Sequence, residues 1–216
     1  MQLVDLSHTL AHGTITYPGL PAPVITEHLS REASASIYAP GTTFQIAKIE
    51  MIANTGTYLD APSHRHASGA DLSALSLEQC ANLDGVVIDA GDARSVDADF
   101  FRDVEVRGKA VLIRTGWSRH FGTPAYGNGH PFLTRDGAQH LAFAGAALVG
   151  IDSLNIDDTE DKARPAHTLL LGANIPVVEH LTNLEELPLK GFRFFAVPPK
   201  FRNVGTFPVR AFALVC

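Results

Sequence analysis

The stretch Asn54-Thr55-Gly56-Thr57-Tyr58-Leu59-Asp60-Ala61-Pro62-Ser63-His64 packs polar, metal-capable and turn-forming residues into eleven positions, more densely than any other part of the chain. Run as an extended segment from Asn54 to Asp60, its alternation puts Asn54, Gly56, Tyr58 and Asp60 on one face, and Gly56 leaves room for a close approach to the backbone. Pro62 then stops any helix and turns the chain, so that His64 can swing back toward the Asp60 carboxylate. An acid and a proton carrier converge in this reading. Spacing alone also allows an ordinary Asp-x-Pro turn, with His64 on the surface and Tyr58 in the core.

Outward from this segment, residues 44 to 53 are rich in Ile and read as a strand that delivers the chain to Asn54, with a further strand at 23 to 29. The opening Leu3-Val4-Asp5-Leu6-Ser7-His8 alternates like a short strand, and Gly13, Pro18, Gly19, Pro21 and Pro23 mark a long loop carrying Tyr17. Downstream, Val86 to Asp89, Ala110 to Ile113 and Ala147 to Ile151 are compact apolar runs, as expected of strands buried on both faces. Short helices are predicted over 75–80 and 97–103, and Thr134 can cap a helix running to about Gly145. Helices alternating with such strands imply crossover connections and a sheet that is at least partly parallel. Phe192 to Val197 and Phe207 to Val215 read as closing strands, and Trp117, at the end of the 110–113 strand, reads first as packing.

Between these runs lies an acidic loop with Asp152, Asp157, Asp158, Glu160 and Asp161, which lacks the calcium-loop spacing and reads mostly as solvated surface, Asp152 excepted. His66 reads as solvent-facing. His167 and Glu179 follow, twelve residues apart, with a turn at Gly172 and Asn174 and a strand through Val178. A carboxylate at the end of so apolar a strand needs a partner, because an unpaired buried charge costs several kcal/mol, and a cation would satisfy it. An exposed Glu at a strand edge is the alternative.

The chain has 216 residues, is 45% hydrophobic and carries a formal charge of −6, which suits a single domain over 1–216 with one substantial core. The absence of a clustered Lys/Arg run argues against nucleic acid or an anionic membrane and leaves a small molecule as the ligand. The N-terminus shows no signal-peptide pattern, no apolar run approaches membrane-spanning length, and the two cysteines, Cys80 and Cys216, make no disulfide framework. A cytoplasmic location is expected.

The 54–64 segment resembles the signature of the metal-dependent cyclase-like hydrolases, which include bacterial kynurenine formamidases and isatin hydrolases, with the pattern His-x-Gly-Thr-His-x-Asp-x-Pro-x-His. Gly56, Thr57, Asp60, Pro62 and His64 match it, while Asn54 and Tyr58 stand where the family has metal-binding histidines. The late His and Glu of the family, ahead of a Leu-x-Asn-Leu run, are matched by His167, Glu179 and Leu181-Thr182-Asn183-Leu184. The resemblance implies an α/β fold, a mixed β-sheet with flanking helices in a swivelling β/β/α cyclase-like domain, and a homodimer or higher homo-oligomer. It implies one divalent metal on Asp60, His167 and Glu179, a second being doubtful with both histidines lost, and the Asn54 that replaces one of them can offer its carbonyl as a further donor. Three ligands with an open position are usual for catalytic Zn²⁺, and oxygen donors also suit Mn²⁺.

By the same resemblance His64 is the general acid/base and Tyr17 helps to wall the substrate pocket, while Tyr58, which departs from the family pattern, is read here as a donor to the carbonyl oxygen that gains charge, in place of the lost metal. The implied reaction is attack of metal-activated water on a small amide or lactone, as in an arylformamidase of tryptophan catabolism that converts N-formylkynurenine to kynurenine and formate. A metal-free small-molecule binding protein on this scaffold, and a single-metal lyase or dehydratase using the same residues, are the competing classes.

Overall fold

The apolar runs of the sequence become the middle of one sheet. The protein is described by a computed structural model over residues 1–215. Its strands, in chain order, are β1 (Gln2–Asp5), β2 (Val24–Leu29), β3 (Ile46–Glu50), β4 (Tyr58–Asp60), β5 (Leu83–Asp89), β6 (Ser95–Val96), β7 (Ala110–Arg114), β8 (Phe132–Leu133), β9 (Leu148–Ile151), β10 (Val177–Glu179), β11 (Lys190–Phe195), β12 (Thr206–Pro208) and β13 (Phe212–Val215). The α-helices are α1 (Arg31–Ser34), α2 (Arg135–Ala144) and α3 (Pro165–Gly172). Nine strands form the main sheet in the order β1-β13-β11-β5-β7-β9-β10-β4-β12. Strands β5, β7, β9 and β10 run parallel, and the flanking strands pair antiparallel, so the sheet is mixed as the sequence implies.

The central strands are buried on both faces, and alternation assigns their side chains to two cores. Leu83, Val87, Leu112, Leu148 and Val178 meet Leu6, Leu59, Phe192 and Phe194 on one side of the sheet. Val86, Ile88, Val111, Ile113, Val149, Ile151 and Val177 meet α2 and α3 on the other, through Ala138, Leu141, Ala166, Leu170 and Leu171. Helix α2 starts where Thr134 predicts: its side chain accepts from Gly137 N, and Gly145 closes the helix at φ 80.

Several local expectations change. The segments at 75–80 and 97–103 form single 3₁₀ turns, Leu77–Gln79 and Ala98–Phe101. The last closing segment is broken into β12 and β13. Residues 54–57 are not extended, and only Tyr58–Asp60 forms strand. The cause is Gly56, whose φ of +66 reverses the chain and whose missing Cβ makes way for Leu10, with Cδ2 only 2.7 Å from where a Cβ would stand. Strands β2 and β3 pair with each other as a separate ribbon, and nearly every residue in it is exposed, including Val24, Ile25, Ile46 and Ile49. Among the described residues no helix is long and apolar enough to cross a membrane. Cys80 is a buried free thiol, and Cys216 lies outside the described residues.

Candidate metal centre

Strand β4 lies between β10 and β12, and register decides what meets: Tyr58 is opposite Glu179 on β10 and Pro208 on β12, while Asp60 is opposite Val177 and Thr206. The tyrosine and the glutamate are direct cross-strand neighbours, both buried, and the Tyr58 hydroxyl donates to Glu179 Oε2. Burial, then the charges of Glu179 and Asp60, push the Tyr58 hydroxyl well above its ordinary pKa, so it stays a donor. Glu179 also accepts from Ile156 N at Oε1 (2.5 Å) and from Asn155 Nδ2 at Oε2 (3.4 Å). The exposed-strand-edge alternative for Glu179 is excluded by its complete burial. Its pKa is raised, first by burial and also by the Asp60 charge, against the opposing pull of His167.

His64 does return toward Asp60. The 3₁₀ turn Pro62–His64 brings its Nδ1 to 3.7 Å from Asp60 Oδ1, and Thr206 on β12 links the two. The Thr206 hydroxyl donates to Asp60 Oδ1 and lies 2.8 Å from His64 Nδ1. Having given its one proton away, that oxygen accepts from His64 Nδ1–H, which leaves Nε2 as the basic nitrogen. The turn is clamped from behind by Gly205, where an added Cβ would sit 2.6 Å from His64 N. Only glycine fits there.

His167 comes from the first turn of α3 and is held by a residue that the sequence reading places on the surface. Asp157 is fully buried; it accepts from Ala166 N (2.6 Å) and His167 N (3.1 Å), capping the helix, and from His167 Nδ1 (2.6 Å). The expectation of a solvated loop holds for Glu160 and Asp161, which are exposed, and fails for Asp157 because α3 begins directly over it. Asp152, the expected exception, is buried and binds Thr115 N, Thr115 Oγ1 and Gly116 N. With Nδ1 fixed, His167 Nε2 lies 3.5 Å from Asp60 Oδ2 and 3.6 Å from Glu179 Oε1. Burial alone would lower the His167 pKa, but the charges of Glu179, Asp157 and Asp60 outweigh it and raise it to about 10. Burial likewise pushes Asp60 up, and the neighbouring His167 and the charge of His64, helped by the Thr206 hydroxyl, more than reverse this, so Asp60 is the carboxylate that stays ionised.

Among the carboxylates of the site, one oxygen is left over. Asp60 Oδ2 is buried without a hydrogen-bond partner, a costly condition that a cation would relieve. Around it, one ligand atom each from Asp60, His64 and His167 lies within 4.8 Å of the others. The mixed N and O donors, a histidine whose second nitrogen is fixed by a carboxylate, and the orphaned oxygen together fit a divalent metal.

A cavity of about 220 Å³ opens over these groups, lined by Tyr17, Leu20, Asn54, Tyr58, His64, Arg65, Asn155, Arg164, His167 and Glu179. Six of the seven residues singled out in the sequence line it, and the seventh, Asp60, is fully buried within 3.7 Å of His64 Nδ1 and 3.5 Å of His167 Nε2. Asn54 sits beside the Tyr58 hydroxyl. Because that hydroxyl's single proton goes to Glu179, Tyr58 serves the glutamate in this state. Trp117 packs, its indole donating to Tyr126 O at 2.9 Å, and His66, expected in solvent, is half-buried with Nε2 3.0 Å from Thr168 O. Asp157, Thr206, Asn155, Arg65 and Arg164 escaped sequence reading, since none lies in a local pattern with the histidines they support or join.

The Cyclase family model, described as "Putative cyclase", matches residues 4–158. Among solved structures, isatin hydrolase A from Ralstonia solanacearum superposes with a TM-score of 0.83 at 25% identity, covering 100% of this chain and 92% of that one. An isatin hydrolase bound to the product analogue thioisatinate gives 0.85 at 24% identity, covering 99% and 92%. A structure titled a potential metal-dependent hydrolase with cyclase activity gives 0.81 at 23% identity, covering 98% and 96%.

Proposed function

The chain belongs to the Cyclase family, and from that premise we propose that it is a metal-dependent hydrolase of a small amide or lactone. The observation that carries the proposal is the buried, unpartnered Asp60 Oδ2 facing His167 Nε2, whose other nitrogen is fixed by Asp157. Asp60, His167 and Glu179 would hold the cation, with Asn54 at the margin. When bound, a divalent cation there supplies Lewis acidity, acidifying water and polarising a carbonyl.

The chain's own residues do the rest. His64, with Nδ1–H given to Thr206, offers Nε2 as the base that takes a proton from attacking water and returns it to the departing nitrogen or oxygen. Asp60 accepts through Thr206 and balances the charge that His64 gains. Tyr58 and Asn155 orient Glu179, and Tyr17 with Leu20 gives the substrate an apolar wall. The narrowest form of the proposal is an arylformamidase that cleaves N-formylkynurenine to kynurenine and formate, which the match to isatin hydrolase A supports only at the level of reaction type.

Metal content of protein purified without chelator tests this, together with turnover of aryl formamides and lactones by His64→Gln, Asp60→Asn and Glu179→Gln. About one equivalent of Zn²⁺ or Mn²⁺, kept in His64→Gln and lost from the other two, is the expected result, with turnover abolished in all three. Loss of metal from His64→Gln would move His64 into the ligand set. No metal and no uptake would overturn the hydrolase and leave a binding protein.

A further inference from the structure

Two arginines that the reaction does not use open onto the same cavity as Asp60 and His167. Arg65 follows His64 directly, and Arg164 precedes α3; both line the pocket mouth in a chain whose acidic residues outnumber its Lys and Arg by 23 to 17. Arg102, Arg114, Arg193 and Arg210 are each paired with an aspartate, and of the described arginines without such a pair Arg65 and Arg164 are the two that line this cavity. Among the described residues Arg65 and Arg164 have no acidic partner. Each spends one donor on a neutral oxygen: Arg65 Nε on Thr168 Oγ1 (3.1 Å) and Arg164 Nη1 on Asp158 O (3.2 Å). Thr168 Oγ1 in turn donates to Arg164 O (2.8 Å), so one threonine fixes both arginines. A guanidinium carries five N–H donors, and most of these remain for a ligand.

The backbone of Arg164 supplies an independent sign. Its φ of 48 is left-handed, and of the six described non-glycine residues with positive φ four are asparagine, the others being His180 and Arg164. A long side chain held in that region is strained, and such strain gathers at ligand sites. Tyr17 and Leu20, in the same lining, add apolar surface to the cavity.

We infer that the substrate carries an anionic group, a carboxylate, which Arg65 and Arg164 bind while its apolar body lies against Tyr17 and its scissile carbonyl faces the metal centre. This rests on the hydrolase reading for the reaction but not for the binding. Two planar forks suit a planar, two-oxygen anion, and they set its distance from the reacting carbonyl. Arg65 and Arg164 are then specificity determinants, not catalytic residues.

The test uses anthranilate and aniline as fluorescent binding probes, and N-formylanthranilate and formanilide as the matching charged and neutral formamides. Wild type should bind anthranilate at least about tenfold more tightly than aniline, and Arg65→Met and Arg164→Gln should each lose about tenfold for anthranilate with aniline unchanged. Arg164→Lys should recover part of the loss, and kcat/KM for N-formylanthranilate should fall in parallel while formanilide is spared. Arginine dependence separates this site from a carboxylate sitting on the metal, which would survive both substitutions. Equal binding of the two probes by wild type, equal losses for both in the variants, or no binding of either would overturn the inference. Arginine-dependent anthranilate binding with no turnover of any formamide would sink the hydrolase and leave the anion site standing.

Discussion

Replacing Asp157 by asparagine keeps the size of the side chain and removes its charge, and the structure says which bonds survive. The amide oxygen can still accept from Ala166 N or His167 N, now 2.6 and 3.1 Å away, so the cap of α3 is weakened without being lost. The second position of the carboxylate becomes an N–H donor aimed at His167 Nδ1, 2.6 Å away. For a bond to persist there, His167 must give up its Nδ1 proton and carry one on Nε2, the atom that faces Asp60 and Glu179. A buried hydrogen bond to a charged group contributes about 1.5–3 kcal/mol. For a chain of this size that corresponds to a fall in Tm of roughly 3–12 °C. Metal affinity should fall about 10–100-fold, because no carboxylate is left to hold the Nδ1–H and present Nε2 to the cation. Thermal denaturation, chelator competition with Zn²⁺ or Mn²⁺, and ¹⁵N chemical shifts of the His167 ring check the three parts separately. Asp157→Asn protein with wild-type Tm, wild-type affinity and an Nδ1-protonated ring would refute the positioning role.

Tyr58→Phe should leave the fold intact by circular dichroism and lower turnover by about 10–100-fold, since Glu179 loses its phenolic donor; unchanged turnover would remove Tyr58 from the machinery. His180 is fully buried, and burial holds its pKa down to about 3. Below pH 6.5 the unfolded chain takes up a proton that the folded chain refuses, so stability falls with pH by about 1.4 kcal/mol per unit between 6.5 and 3. His180→Asn keeps the left-handed backbone that His180 adopts at φ 56 and should flatten that slope in denaturant titrations at pH 7, 6 and 5; identical slopes would refute the burial argument. The β2–β3 ribbon, with Ile25 opposite Ile49 and no core beneath it, is the contact expected for a second copy, and light scattering should give at least twice the 23.2 kDa chain mass. A monomer at micromolar concentration would exclude that assembly.

What the sequence discloses is what depends on near neighbours. The runs at 86–89, 110–113 and 147–151 announce doubly buried strands by composition, and Thr134 announces α2 because a cap and its helix are adjacent. Asp60, His64, His167 and Glu179 are legible as two motifs, and the structure brings them together through β4 and β10. Asp157 looks like its exposed neighbours in the acidic loop and differs only because α3 starts above it. Thr206 is one threonine, 146 residues from the aspartate it binds. Gly56 shows why alternation fails at 54–57: a glycine can signal space for a ligand or a reversed backbone, and only the position of Leu10 distinguishes them.

The place of β4 in the sheet also governs when the site comes into being. Its hydrogen-bonding neighbours begin at residues 177 and 206, so Asp60 waits for chain more than a hundred residues downstream, while β5, β7 and β9 find each other sooner. Closing loops of that length has an entropic cost and gains no contacts until the strands dock, which makes β4 a late arrival on the folding path. Until then the two halves of the ligand set travel separately, and no fragment ending before Pro208 holds a finished site. Pulsed hydrogen exchange during refolding should show the β4 amides protected together with those of β12 and after those of β7; protection of β4 in the first phase would reverse this order.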